Sequence, residues 1–309
     1  MVTSDEQVSP LLALSNTFAE AIAHAGQSIV AVKGGRRFGA SGVHWRSGVI
    51  ITSDHSLRQE DEITLVLPDQ STTTAPIIGR DPGTNLAILR LRPELNLPIA
   101  TIQHPASLQV GHLVLAVGRS SETGLTASMG MISALGGTWR TWNGGQIDQF
   151  IRPDLTLYPG GSGSALIDPQ GQVLGINIAT PRSAVLTIPA VTIDRVVDQL
   201  LNRGRIVRGY LGVGMQPVEL PQRLQQALNL SGTRVLVVSV ESGSPAEQAG
   251  IMIGDVIVEL GDRQISDIHD VHQMLDPEQV GKPLGVKVIR GGQWMELTVT
   301  VGERPRRAE

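Results

Sequence analysis

The 309-residue chain contains no cysteine. Disulfides, thiolate nucleophiles and cysteine metal sites are thereby excluded together, although the absence leaves the compartment open. Aromatic residues make up 3% of the sequence against 41% apolar residues in all, so the cores must be built from Val, Ile, Leu and Ala. That composition suits sheets. Charge of one sign is lacking too: 25 basic and 29 acidic residues leave a net charge of −4, no general attraction for nucleic acid or an anionic membrane. No run approaches the roughly 20 apolar residues of a membrane-spanning helix. The start, MVTSDEQVSPLLALSNTFAE, has acids where a signal peptide carries positive charge. As written the chain is expected to be cytoplasmic, and exported if a leader was trimmed.

What is present divides in two. Residues 15–25, SNTFAEAIAHA, place Phe18, Ile22 and Ala25 at helical spacing behind a Ser15 or Asn16 cap. From Ser28 to about Val191 short β-rich runs (SIVAV, GVIITS, EITLVL, NLAILRL, HLVLAVG, SALIDPQGQVLGINIA) alternate with turns, as in all-β barrels or sandwiches. Helical crossovers are missing, which argues against a parallel α/β fold. TIDRVVDQLLNRGR, 192–205, then carries Ile193, Val196, Val197, Leu200 and Leu201 on one stripe behind a Thr192 cap. Gly204 ends it, with Arg203, Arg205 and Arg208 where a helix dipole favours cations. A boundary is expected near 206, giving domains over 1–206 and 207–303 and a polar tail over 304–309. The second domain reads as a small mixed unit of strands and the helices LPQRLQQALNL and SDIHDVHQML.

Two stretches could carry chemistry. YPGGSGSALID, 158–168, is a glycine-lined serine leading into an apolar strand, a setting that can expose a hydroxyl and aim backbone N–H groups at one point. Gly-Gly-Ser-Gly-Ser is equally ordinary loop composition, so the serine needs a base. His55, in GVIITSDHSL, follows an apolar strand, and the turn DPGTNLAIL lies between it and Ser162. The order histidine, polar turn residue, glycine-flanked serine is one known chain order of the serine protease triad.

GASGV at 39–43, VIITSDHS around His55, IIGRDPGTNLAIL at 77–89, AVGRSS at 116–121, GMISALG at 130–136 and YPGGSGSALID occur in the order of the landmarks of the HtrA (Deg) family. The chain resembles that family from about Phe18 to Val301. The resemblance implies a mainly β fold: a trypsin-like double β-barrel protease domain followed by a C-terminal α+β PDZ domain. It further implies Ser162 as nucleophile, His55 as general base, and the N–H groups of Gly160 and Ser162 as oxyanion hole. The position that orients the histidine falls on Asn85, where the family has aspartate. Gly161 replaces a usual Asn, and Ser164 replaces a glycine, so a Cβ at 164 would distort the turn if that residue needs positive φ.

The expected function is therefore an HtrA-like serine endopeptidase acting on unfolded or partly unfolded polypeptides, attenuated by Asn85. The alternative is a catalytically inactive peptide-binding or chaperone-like homologue. Asp54, Asp61 and Glu62 are the acids near enough in sequence to compensate, with a solvated turn the plainer reading of Asp54. By resemblance the substrate pocket draws on Leu157, Tyr158 and Ile178, and no acid there selects Arg or Lys. Tyr210, Leu211, Gly212 and Val213 resemble the PDZ loop that receives a peptide C-terminus, with strand addition beside the strand after Gly212 and the helix SDIHDVHQML. Ile268, Val271 and Leu275 read mostly as core, and His269 and His272 as surface or groove rather than metal ligands. No cofactor and no nucleic-acid partner is expected. The family's habit of assembling as trimers implies a homo-oligomer, with the helix near Phe18 as a contact.

Overall fold

A computed structural model of the chain describes residues 9–34, 39–58, 62–92, 95–104, 108–141, 144–180, 184–204, 206, 209–275 and 279–303, apart from the side chains of residues 203 and 269. It divides into two compact units, Met1–Ile206 and Val207–Glu309.

In the first unit, α1 (Pro10–Gly26) precedes six strands: β1 (Ile29–Lys33), β2 (Ala40–Arg46), β3 (Val49–Ser53), β4 (Glu62–Val66), β5 (Thr72–Asp81) and β6 (Leu86–Arg90). They close into a barrel in the order β1-β2-β3-β6-β5-β4. Next come β7 (Leu113–Ser120), β8 (Gly124–Gly136), the short pair β9 (Trp139–Arg140) and β10 (Gln146–Ile147), then β11 (Phe150–Asp154), β12 (Ala165–Ile167), β13 (Val173–Ala179) and β14 (Val185–Pro189). Their second barrel runs β11-β14-β13-β12-β7-β8.

Strands buried on both faces explain the unbroken apolar runs of the sequence. On β3, Ile50 packs inside the first barrel with Val30, Val32, Leu65 and Leu89. Its neighbour Ile51 joins a cluster drawn from both barrels, with Val43, Leu86, Ile88, Leu115 and Ile176. Period-2 alternation thus sorts one strand into two cores.

The helices begin earlier than their sequence signals suggest. α1 starts at Pro10, whose fixed φ and missing N–H suit a first helical position, so Ser15 and Asn16 lie inside the helix rather than capping it. Phe18 and Ile22 pack on the core, while Leu11, Leu12 and Leu14 are exposed. α2 (Ala190–Arg203) buries Ile193, Val196, Val197 and Leu200, but Leu201 faces outward. Thr192 is not its cap. The buried Thr192 hydroxyl donates to Asp148 Oδ2 at 2.7 Å and accepts the Asp148 N–H at 2.9 Å, which ties the helix to the chain ahead of β11. Gly204, at φ +67°, ends the helix by donating to Leu200 O. The arginine side chains expected around this terminus, at 203, 205 and 208, lie outside the described residues.

The second unit contains β15 (Gly209–Tyr210), β16 (Val213–Glu219), α3 (Gln222–Leu228), β17 (Thr233–Val240), α4 (Pro245–Gln248), β18 (Val256–Leu260), β19 (Arg263–Gln264), α5 (Ile268–Met274), β20 (Pro283–Arg290), β21 (Gln293–Thr300) and β22 (Gly302–Glu303). Its sheet runs β16-β17-β18-β20-β21, which leaves β16 at an edge, and β15 pairs β22. Asp267 and Asp270 form a capping box that starts α5. Val271 is core, and Ile268 and Leu275 pack partly buried against it. Buried Asp255 receives Arg290 Nε and Nη2, each at 2.7 Å, and the Met252 N–H at 2.8 Å. Burial pushes its pKa up, but the Arg290 and Met252 hydrogen bonds and the guanidinium charge outweigh that and hold it below the usual carboxylate value.

Candidate active site and peptide loop

Strand pairing brings His55 and Asn85 together. β3 and β6 are antiparallel with Ser53 opposite Leu86, so the residues just past their ends face one another. One end runs into a 3₁₀ turn, Asp54–Ser56, and Asp54 N–H donates to the Asn85 carbonyl at 3.1 Å. Asn85 sits at φ +60°, a left-handed conformation that asparagine adopts more readily than most residues. The turn before it is held by buried Asp81, whose carboxylate accepts the Gly83 N–H at 3.0 Å and the Thr84 hydroxyl at 2.7 Å.

The Asn85 amide meets two demands from one histidine. Its Oδ1 accepts the His55 main-chain N–H at 2.9 Å and lies 3.0 Å from His55 Nδ1, while its Nδ2 is 2.7 Å from the same Nδ1. A main-chain N–H can only donate, so the oxygen must face it. The NH₂ is then left against Nδ1. A carboxylate would offer an acceptor to both groups. Among the described residues no nearby acid supplies one: Asp54 is buried rather than solvated, with Arg80 Nε donating to its Oδ1 at 2.6 Å. Glu62 is exposed at the start of β4, and Asp61 lies outside the described residues.

Ser162 comes from the second barrel, in the tight loop ahead of β12. Gly160 and Gly163 have φ of +83° and +86°, values that side-chain-bearing residues rarely adopt. Ser164 does not share that conformation. It is buried without distortion, accepts Asn177 Nδ2 at 3.2 Å, and removes the concern attached to its Cβ. A Cβ on Gly161 would meet Tyr158 O at 2.8 Å, so this loop closes more tightly than an Asn there would permit.

Ser41 fixes the loop from the first barrel, with its N–H donating to Ser162 O and its hydroxyl to Gly160 O, both at 2.9 Å. Ser41 Oγ in turn accepts the N–H of Arg119, whose buried guanidinium donates to Gly26 O and Ile29 O and has its pKa lowered by burial. The N–H groups of Gly160 and Ser162 have no protein acceptor among the described residues. They remain available to an incoming oxyanion.

Ser162 Oγ lies 3.5 Å from His55 Nε2 and donates to Ser53 Oγ at 3.1 Å. Both side chains open into a cleft of about 710 Å³. Leu157 and Tyr158 line it as expected. Ile178 does not: it is buried in the core, and its successor Ala179 reaches the cleft. Gly39 and Arg58 also line it and were not marked as pocket residues by the sequence, because nothing local shows that a residue faces a loop about a hundred positions away. Ser53 was missed for the same reason.

In the second unit the loop Tyr210–Val213 leads into edge strand β16. Leu211 is core, so only its main chain is available. Gly212 is at φ +81°, and a Cβ there would fall 2.2 Å from Ser244 Cβ. The Tyr210 hydroxyl donates to Glu241, and the Leu211 and Gly212 N–H groups have no acceptor among the described residues. Among the described residues no cluster of three or more His, Cys, Asp or Glu could hold a metal, and the His269 side chain is outside them. No described helix is long and apolar enough to cross a membrane.

A histidine at the rim of one six-stranded barrel facing a glycine-framed serine from a second defines the class of trypsin-like peptidase domains, here followed along the chain by a unit with an edge strand. Comparison with known families agrees: the family described as "Trypsin-like peptidase domain" matches residues 40–176, and "PDZ domain" matches 209–301. A Chlamydia muridarum protein named "Probable periplasmic serine endoprotease DegP-like" is 32% identical over 265 residues, 84% of this chain and 52% of that protein. A Hahella chejuensis protein of the same name is 33% identical, covering 84% and 56%. The solved structure "HtrA-type protease AlgW with tripeptide" is 30% identical with a TM-score of 0.76, covering 94% of this chain and 98% of that one. The chain belongs to the HtrA family, and it spans about half the length of the curated relatives named here.

Proposed function

We propose that the protein is a serine endopeptidase that cuts unfolded or partly unfolded polypeptides, with Asn85 slowing it. The observation that carries this reading is Ser162 Oγ, 3.5 Å from His55 Nε2 in the cleft, in a loop whose Gly160 and Ser162 N–H groups have no protein acceptor among the described residues. Ser162 attacks the peptide carbonyl, His55 is the base, and the two N–H groups take up the negative charge on oxygen. Leu157 and Tyr158 shape the pocket beside the scissile bond. No carboxylate is among the described lining residues, so the pocket suits a small or aliphatic side chain and does not select Lys or Arg.

The second unit recruits the chain to be cut. A peptide C-terminus docks its carboxylate on the Leu211 and Gly212 N–H groups and extends along edge strand β16 beside α5. Leu11, Leu12 and Leu14, rather than Phe18, form the apolar surface of α1 through which copies assemble.

A second reading has its own support: the Ser162 hydroxyl is closer to Ser53 than to His55, and the Asn85 NH₂ faces Nδ1, an arrangement suited to a binding protein that does not cleave. Digestion of β-casein by the wild type beside Ser162→Ala separates the two. Cleavage by the wild type alone supports the peptidase, and equal absence of cleavage supports the binding protein.

A further inference from the structure

Ser53, the last residue of β3, is wholly buried and has been given no step in the chemistry so far. Its Oγ lies 3.1 Å from Ser162 Oγ, 3.0 Å from His55 Nδ1 and 2.9 Å from Ser56 Oγ. It therefore touches both the attacking hydroxyl and the ring nitrogen remote from it. With the Asn85 oxygen held by the His55 N–H, the amide NH₂ at 2.7 Å favours a neutral ring that keeps Nδ1 unprotonated and carries its proton on Nε2. In that tautomer Nε2, facing Ser162, has no lone pair to receive a proton. The basic nitrogen is Nδ1, and the route from Ser162 to it runs through Ser53.

We propose that Ser53 is a catalytic residue of this chain, its hydroxyl relaying the Ser162 proton to His55 Nδ1. As Ser162 Oγ bonds to the substrate carbonyl carbon, its proton passes to Ser53 Oγ, the Ser53 proton passes to Nδ1, and the carbonyl π pair moves onto oxygen. The ring becomes imidazolium with Nε2–H toward the leaving group. Collapse breaks the C–N bond, and the departing nitrogen takes the Nε2 proton. The ring is left protonated at Nδ1, where Asn85 Oδ1 at 3.0 Å accepts. In the second half a water gives its proton to Nε2 while its oxygen bonds to the acyl carbon. The C–Oγ bond then breaks, and the Nδ1 proton returns through Ser53 to Ser162. One peptide bond and one water are consumed, and the starting tautomer is restored. The amide thus serves Nδ1 in both states, donating when it is bare and accepting when it is protonated.

The relay rests on the peptidase reading and is tested so that the two can fail separately. The measurement is the rate at which a fluorophosphonate probe labels the full chain at Ser162, for Ser53→Ala in the wild type and in Asn85→Asp, with Ser162→Ala as blank. With aspartate at 85 the Nε2 atom is free to act directly, so the relay predicts strong dependence on background. The expected loss is about 10²-fold in the wild type, the scale of a general base, and at most a few fold beside Asn85→Asp. That second variant also reports whether removing the hydroxyl leaves the fold intact. Wild-type labelling that Ser53→Ala leaves unchanged, or an equal loss in both backgrounds, overturns the relay alone. Wild-type labelling no faster than Ser162→Ala overturns the peptidase reading with it.

Discussion

Asn85→Asp is the substitution whose effect follows most directly from the geometry. The amide oxygen accepts the His55 main-chain N–H at 2.9 Å and lies 3.0 Å from Nδ1, while the NH₂ stands nearer to that ring nitrogen, at 2.7 Å. A carboxylate on the same Cγ would accept both, set the proton on Nδ1, and face the imidazolium at about 3 Å. Coulomb's law at that separation gives roughly 5 kcal/mol at an effective dielectric of about 20 and roughly 1.4 kcal/mol in water. His55 is exposed and Asn85 half-buried, so the effect falls between those limits. In rate that is an increase between about tenfold and about 10⁴-fold, and the upper figure matches the loss produced by the reverse change in a complete triad. Aspartate also tolerates the φ of +60°, so the backbone exacts little. The assay is fluorophosphonate labelling and casein turnover for both proteins, with ¹⁵N NMR of His55 to read which ring nitrogen carries the proton. A shift of the proton from Nε2 to Nδ1 with the rate increase is expected. A folded Asn85→Asp protein that labels no faster than wild type would refute the reasoning, because the amide would then not limit the chemistry.

Four further outcomes are expected. Asp255 has a carboxyl held below its ordinary value, so the stability it lends the second unit is complete above the unfolded carboxylate pKa of about 3.9 and is lost as pH falls through the lower folded value. Asp255→Asn strands the Arg290 guanidinium and should destabilise that unit by about 3 kcal/mol, the low end for breaking a buried pair because Arg290 keeps some solvent contact. Hydrogen exchange of β17 and β18 amides checks both, and unaltered protection would refute the role given to the pair. Gly212→Ala places a methyl against Ser244 at a left-handed position and should weaken binding of peptide C-termini at least tenfold by fluorescence anisotropy, while Ser162 labelling is retained. Leu11→Lys with Leu12→Lys should lower the assembly state read by sedimentation, since those side chains are the most exposed apolar surface of α1; an unchanged mass would exclude that surface.

Much of the fold was legible because local chemistry and tertiary context agree. Asp-Pro-Gly made a turn where the structure has one, and GVIITS and NLAILRL made strands because β3 and β6 are buried on both faces. The glycine run around Ser162 announced backbone angles that Gly160 and Gly163 indeed adopt. Legibility failed where a side chain's partner lies far along the chain. Thr192 looks like a cap until Asp148 claims its hydroxyl, and Asp54 looks solvated until Arg80 comes across from β5. Ile178 looks like a pocket wall, but the alternation of β13 turns it into the core and leaves Ala179 at the cleft.

The sequence by itself determined the class of fold, the order of its landmarks and the substitution at position 85, because these are properties of residue type and spacing along one chain. The tertiary structure alone decided what that asparagine means. Only when β3 and β6 pair do the His55 N–H and ring compete for one amide oxygen, and only when the second barrel closes does Ser162 come within reach of both His55 and Ser53. Distances between atoms a hundred residues apart are set by packing, and no local pattern encodes them.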